Sequence, residues 1–139
     1  MSIKRSATAH WAGNGKEGKG TVSTESGVLS STNYSYKTRF EEGIGTNPEE
    51  LVAAAHAGCF SMKLAFVLQA ANLIAHKIDT KAQVVLDSGT ITDIYLFTRV
   101  KLDAVSKEQL LTYAQDAKEN CPISKLLKAA NIHLDVELG

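Results

Sequence analysis

The chain has 139 residues, balanced charge (15 Lys and Arg against 15 Asp and Glu) and an apolar fraction of 44%. This fits one folded domain, residues 1–139, and excludes a disordered chain. With neither a basic tract nor net positive charge, a nucleic-acid binder is excluded as a class. The first residues carry no signal-peptide pattern, and two cysteines without such a signal point to a reducing compartment. The expected location is therefore cytoplasmic.

Residues 6–11 alternate weakly and read as a strand, followed by a glycine-rich turn region at 13–20. Residues 21–25 and 34–40 read as two further strands on either side of a polar loop, 26–33. The latter strand has period two, with Tyr34, Tyr36, Thr38 and Phe40 on one face and Ser35, Lys37 and Arg39 on the other. A glycine-rich link, 42–46, leads into a long helix from 48 to about 72. Asn47 suits its N-cap and Pro48 its first turn, while Glu49 and Glu50 place negative charge at the positive end of the dipole.

From Leu51 onward this helix is apolar nearly all round, which marks it as interior. It is almost long enough to span a bilayer. Lys63, His56 and the many alanines instead indicate a soluble core helix, so no membrane partner is expected. So short a chain covers such a helix poorly, which indicates a dimer.

Residues 78–87 read as a strand, 87–89 as a turn and 91–105 as a long strand, with Ile94, Leu96, Thr98, Val100 and Leu102 on one side. Ser106 and Gln109 form a capping-box signature for a helix over 106–120. A second short helix, 122–130, starts at Pro122, and Ile132, Leu134, Val136 and Leu138 define a final strand. Hairpins grouped before and after the long helix indicate an α+β fold.

Cys121 precedes Pro122 and so sits at or beside a helix N-cap, where the dipole and free N–H groups favour a thiolate; the alternative is a helix start that happens to use cysteine. Cys59 lies in mid-helix and needs a cation from elsewhere. Arg39 is the candidate, with a solvated surface charge as the alternative. Glu49 or Glu50 could hold that arginine in place, although helix-start electrostatics also account for both.

Glu49 and Cys59 are ten residues apart, about 15 Å along a helix axis. To serve one site, the glutamate must come from a second chain or the helix must break near 54–58. His56 shares a helical face with Cys59, three residues on, so a Cys–His nucleophile pair stands beside a hydrogen-bonded interior histidine. A zinc site from Cys59, Cys121, His56 and His76 lacks any supporting ligand spacing. The 13–20 segment lacks the pattern of a phosphate loop.

The stretch Gly-Thr-Asn-Pro-Glu-Glu-Leu-Val-Ala-Ala-Ala-His-Ala-Gly-Cys-Phe-Ser-Met, residues 45–62, resembles the signature of the OsmC/Ohr family. These are the osmotically inducible protein C and organic hydroperoxide resistance proteins. Ala9-His-Trp-Ala-Gly13, the glycine-containing segment 18–27 and Asn120-Cys-Pro-Ile-Ser-Lys125 agree with it, so the resemblance covers essentially the whole chain. The Ala-His-Ala-Gly-Cys-Phe version, with Lys-Thr-Arg-Phe-Glu upstream, is more similar to the OsmC branch than to the Ohr branch.

The resemblance implies an OsmC-like fold, with antiparallel sheets around a long buried central helix. It also implies an intertwined homodimer with two active sites at the interface. The implied activity is that of a thiol-dependent peroxidase for organic hydroperoxides, with Cys59 as peroxidatic and Cys121 as resolving cysteine. Arg39 and Glu49 would poise the thiolate. No cofactor or metal is implied. Electrons would come from an external dithiol, which is a lipoyl group in the Ohr branch. Phe60, Met62 and the stem of Lys63 are the expected apolar surroundings that select organic substrates. Two other readings stand beside this one: a Cys–His acyl-transfer enzyme using His56, and a non-enzymatic dimeric stress or binding module with inert buried cysteines.

Overall fold

The structure is a computed structural model that describes residues 1–40 and 44–139. Part of the expected 42–46 link therefore lies outside the described residues. The chain divides into two compact units, Met1–Leu51 and Val52–Gly139.

In the first unit, β1 (Ala7–Ala12), β2 (Lys19–Thr24) and β3 (Thr32–Tyr34) form an antiparallel sheet in that order. Asn14 closes the β1–β2 turn, its Oδ1 accepting from the N–H groups of Lys16 and Glu17 at 3.1 and 2.7 Å. Gly20 pairs with Trp11 on one side and Tyr34 on the other, and a Cβ there would collide with both rings. Its bare backbone lets the two aromatic rings meet, with centroids 5.4 Å apart.

The expected strand at 34–40 is corrected: the strand ends at Tyr34, and Tyr36–Phe40 is a short helix, α1. A reciprocal cap turns the chain. Ser35 N–H donates to Thr38 Oγ1 at 2.9 Å, and Thr38 N–H donates to Ser35 Oγ at 3.2 Å. Tyr36 and Phe40, one helical turn apart, then pack ring against ring at 4.9 Å.

The long helix α2 runs unbroken from Pro48 to Ala70. Asn47 caps it as the sequence indicates, its Oδ1 accepting from Glu50 N–H at 2.8 Å. The second unit, from Val52, takes the rest of α2 together with β4 (Lys77–Asp87), β5 (Thr90–Lys101), α3 (Lys107–Asn120), α4 (Pro122–Leu126) and β6 (Asn131–Leu138). β4 and β5 form a hairpin closed by Ser88 and Gly89, both at positive φ, the backbone that a two-residue turn needs. β6 returns through α3 and α4 and lies parallel to β5, so this sheet is mixed, which corrects the expectation of antiparallel sheets only.

The buried face of β5 is Ile94, Leu96, Thr98 and Val100, the set its alternation marks. Phe60, Leu64 and Leu68 of α2 join this face, with Leu110, Ala114 and Ala117 of α3 and Val136 of β6, in one core. Ser106 and Gln109 make the expected reciprocal cap of α3. α4 is shorter than expected, ending at Leu126.

Although α2 is apolar nearly all round, the described chain fully buries only one stripe of it: His56, Phe60, Leu64 and Leu68, at four-residue spacing. A second stripe, through Ala55, Gly58, Met62 and Phe66, stays open, with Met62 64% and Phe66 59% exposed. The helix is long and apolar enough to cross a membrane, but its buried stripe is committed to the core of this unit.

Candidate active site

Arg39 and Glu49 meet within the first unit. Their positions follow from a mesh of short polar contacts. Thr46 N–H donates to Asn33 O at 2.8 Å, Thr38 Oγ1 donates to Thr46 O at 2.8 Å, and Asn47 Nδ2 donates to Thr38 O at 2.8 Å. These tie α1 to the first turn of α2. Arg39 Nε then donates to Glu49 Oε2 at 3.0 Å and lies the same 3.0 Å from Oε1. Glu49 is 13% exposed and Arg39 35%, so this ion pair is partly shielded from water. Glu50 turns elsewhere, accepting from Thr46 Oγ1 at 2.7 Å. Of the two adjacent glutamates, Glu49 orients the arginine. Beside Arg39 lies a small cavity of about 130 Å³ lined mainly by Trp11, Tyr34, Tyr36 and Pro48.

Cys59 and Cys121 meet within the second unit. Cys59 sits half-buried on α2. Cys121 is fully buried at the joint between α3 and α4, where its extended backbone and the following Pro122 end one helix and start the next. The Cys121 thiol donates to Cys59 Sγ at 2.8 Å. Burial pushes the Cys59 thiol above its ordinary 9.0, and the bond from Cys121 adds to this; the backbone N–H of Ile123 and the charge of Lys63 oppose it.

The favour that α4 offers through its N-terminal amide thus goes to Cys59. The Cys121 side chain makes no capping hydrogen bond among the described residues. Within its own unit Cys59 remains a protonated thiol at neutral pH, as its mid-helix position implies.

The Cys–His pair does not form. His56 Nε2 is instead 2.8 Å from Ser124 Oγ, with both residues buried. Burial lowers the imidazole below its ordinary 6.5, so it is neutral at pH 7, and its Nδ1 has no partner among the described residues. His76 is committed to exposed Asp103 at 2.8 Å. The described residues hold no group of three His, Cys, Asp or Glu able to bind a metal. Phe60 is also corrected: it is fully buried in the core and cannot line a substrate path, whereas Met62 is open. The sequence reading missed Ser124 and the Tyr36 wall of the cavity. Ser124 had one faint signal, since it follows Cys121 by the same three residues that separate His56 from Cys59.

Glu49 and Cys59 lie on one uninterrupted helix, so the alternative of a break near 54–58 is removed. Ten residues of helix separate them by about 15 Å along the axis.

The first unit thus holds an oriented guanidinium and the second a close cysteine pair, each beside a three-stranded sheet. The family model for OsmC-like protein matches residues 41–137. Peroxiredoxin OsmC of Escherichia coli (strain K12) is 47% identical over 142 aligned residues, covering 99% of each chain. Organic hydroperoxide resistance protein-like 1 of Staphylococcus saprophyticus is 30% identical, over 68% of this chain and 70% of that one. The crystal structure of an organic hydroperoxide resistance protein OsmC from Legionella pneumophila superposes with a TM-score of 0.72 at 21% identity, covering 100% of this chain and 98% of that one. The chain belongs to the OsmC-like family.

Proposed function

We propose that this protein is a cysteine-based peroxidase that reduces organic hydroperoxides to alcohols, using Cys59 as nucleophile and Cys121 as resolving thiol. The observation that carries this reading is the approach of the two sulfurs, 2.8 Å apart across 62 residues of sequence, with Cys59 half-buried and Cys121 wholly buried. A nucleophile beside a sequestered second thiol suits oxidation followed by rapid disulfide closure. The names of the relatives, peroxiredoxin and organic hydroperoxide resistance protein, point the same way.

The Cys59 thiolate attacks the distal oxygen of ROOH. An S–O bond forms as the O–O bond breaks, and RO⁻ takes a proton and leaves as the alcohol. The Cys121 thiolate then attacks the Cys59 sulfenic acid; an S–S bond forms, and hydroxide takes a proton and leaves as water. An external dithiol, of which a lipoyl group is one kind, restores both thiols by exchange and is itself oxidised to a disulfide.

The thiolate required for the first step is not favoured by the surroundings of Cys59 within its own unit. We infer that it is supplied in a homodimer, with Arg39 of the partner subunit placed by Glu49 of the partner subunit against Cys59. Two observations support this. Glu49 and Cys59 are ten residues apart on one unbroken helix, and the open apolar stripe of α2 through Gly58 and Met62 offers a surface for a second copy. The aromatic cavity beside Arg39 would then receive the organic group of the hydroperoxide. The protein would act in the cytoplasm as one soluble domain.

The test is stopped-flow oxidation of the reduced protein with cumene hydroperoxide and with hydrogen peroxide, the products read by mass spectrometry. The expected result is fast conversion to the Cys59–Cys121 disulfide, faster with the organic peroxide, and no reaction in Cys59→Ser. Full activity in Cys59→Ser would sink the assignment. An inert binding module would instead show slow labelling of Cys59 by thiol reagents at neutral pH.

A further inference from the structure

Two contacts cross between α2 and the start of α4 as a ladder. One rung is Cys59–Cys121, at 2.8 Å; the other is His56–Ser124, also at 2.8 Å. The residues of each helix are three apart and run in opposite order, His56 with Ser124 and Cys59 with Cys121. Both members of the polar rung are buried, His56 at 0% and Ser124 at 4% exposure. α4 is only five residues long and its first residue is proline, so its own hydrogen bonding holds it weakly.

We propose that His56 and Ser124 are positioning residues: their hydrogen bond fixes the register of α4 on α2 and so sets the rate at which Cys121 closes the disulfide onto Cys59. The role in peroxide turnover rests on the peroxidase reading above; the register itself does not. A thiol must approach the Cys59 sulfur along a narrow line, and displacing α4 by a fraction of a turn moves Cys121 off it. The bond costs nothing in charge, because a neutral imidazole and a hydroxyl can each donate or accept. His56 is thereby excluded as the base for Cys59 and is given a different task, one turn away.

The test follows closure of the disulfide in Ser124→Ala, Ser124→Val, Ser124→Thr and His56→Leu dimers, started in two ways. One arm uses a stoichiometric pulse of cumene hydroperoxide. The other uses oxidised glutathione, in which Cys59 first displaces one glutathione thiolate to form a mixed disulfide and Cys121 then displaces the second. In both arms the expected result is that closure slows by about ten- to a hundredfold in the Ala, Val and Leu variants. Ser124→Thr, which keeps the hydroxyl, should close near the wild-type rate while isosteric Ser124→Val does not. Iodoacetamide labelling of Cys59 should be unchanged, and Cys59 sulfinic acid should accumulate only in the slow variants treated with peroxide.

Wild-type closure in Ser124→Val, or equally slow closure in Thr and Val, would overturn the proposal. Should Ser124→Ala fail to fold, the Thr and Val pair decides. If the wild type ignores peroxide but the glutathione arm shows the Thr–Val difference, the peroxidase reading falls and the register clamp stands.

Discussion

The sulfur of Cys121 lies 2.8 Å from that of Cys59, and Cys121 is fully buried while Cys59 is not. Reagents in solution are therefore expected to meet Cys59 first, with Cys121 reacting through it. Cys121→Ser is expected to keep the first oxidation and lose the disulfide, so that Cys59 sulfenic acid persists and passes to higher oxides. Intact-mass measurement over a peroxide titration checks this. A Cys121→Ser protein that stays unmodified, or that turns over normally with a dithiol, contradicts the assigned order of the two thiols.

The elevated thiol of Cys59 makes the role of Arg39 measurable. Burial and the Cys121 bond raise it, and in the proposed mechanism a nearby guanidinium brings the thiolate to neutral pH. Arg39→Gln should move the pH profile of Cys59 alkylation to higher pH. It should also slow peroxide reduction at pH 7 by about ten- to a hundredfold, each pKa unit being worth a tenfold change in thiolate. Glu49→Gln should act in the same direction more weakly, since it disorients the cation without removing it. Profiles that coincide with the wild type would leave Arg39 a surface charge.

His56 contributes to stability in a pH-dependent way. Its folded-state value is lowered by burial from 6.5, so the unfolded chain binds this proton first as pH falls. The contribution is complete above 6.5 and is lost as pH drops from there through the lower folded value. Wild type should lose stability relative to His56→Gln over that window, by at most about 1.4 kcal/mol per pH unit for one proton. Urea denaturation at a series of pH values reads the difference, and parallel curves would show that His56 takes up its proton equally in both states.

The two stripes of α2 should respond differently to substitution. Leu64→Ala removes a fully buried core side chain and is expected to cost about 2–5 kcal/mol. Met62→Glu, on the open stripe, should leave the fold of the chain intact and weaken self-association instead. Sedimentation velocity paired with thermal unfolding separates these effects. A dimer unaffected by Met62→Glu would argue that the second copy binds elsewhere.

Much of this arrangement is legible along the chain, because local chemistry writes it. Asn47-Pro48 starts the helix, Ser106 and Gln109 start another, and the alternation of β5 names its buried face. α1 is misread because aromatic residues at 34, 36 and 40 satisfy a strand period, while 36 and 40 also sit one helical turn apart. The reciprocal Ser35–Thr38 cap decides between them. Glu49 and Glu50 are indistinguishable as neighbours and separate only when Thr46 claims Glu50. Ser124 is reached by His56 across 68 residues, a distance at which no local pattern speaks. The open stripe of α2 is foreshadowed by a helix too apolar for its own chain to cover.

The central claim, that each site draws Cys59 from one chain and Glu49 from the other, is tested most directly with a mixed dimer. One chain carries Cys59→Ser and the other Glu49→Gln, isolated through two different affinity tags. A shared site puts both lesions in one active site and leaves the other intact, so the mixed dimer should show about half the wild-type rate while both parent homodimers are impaired. A mixed dimer with no more than half the activity of the Glu49→Gln homodimer would mean that each site lies within one chain, and would contradict the account.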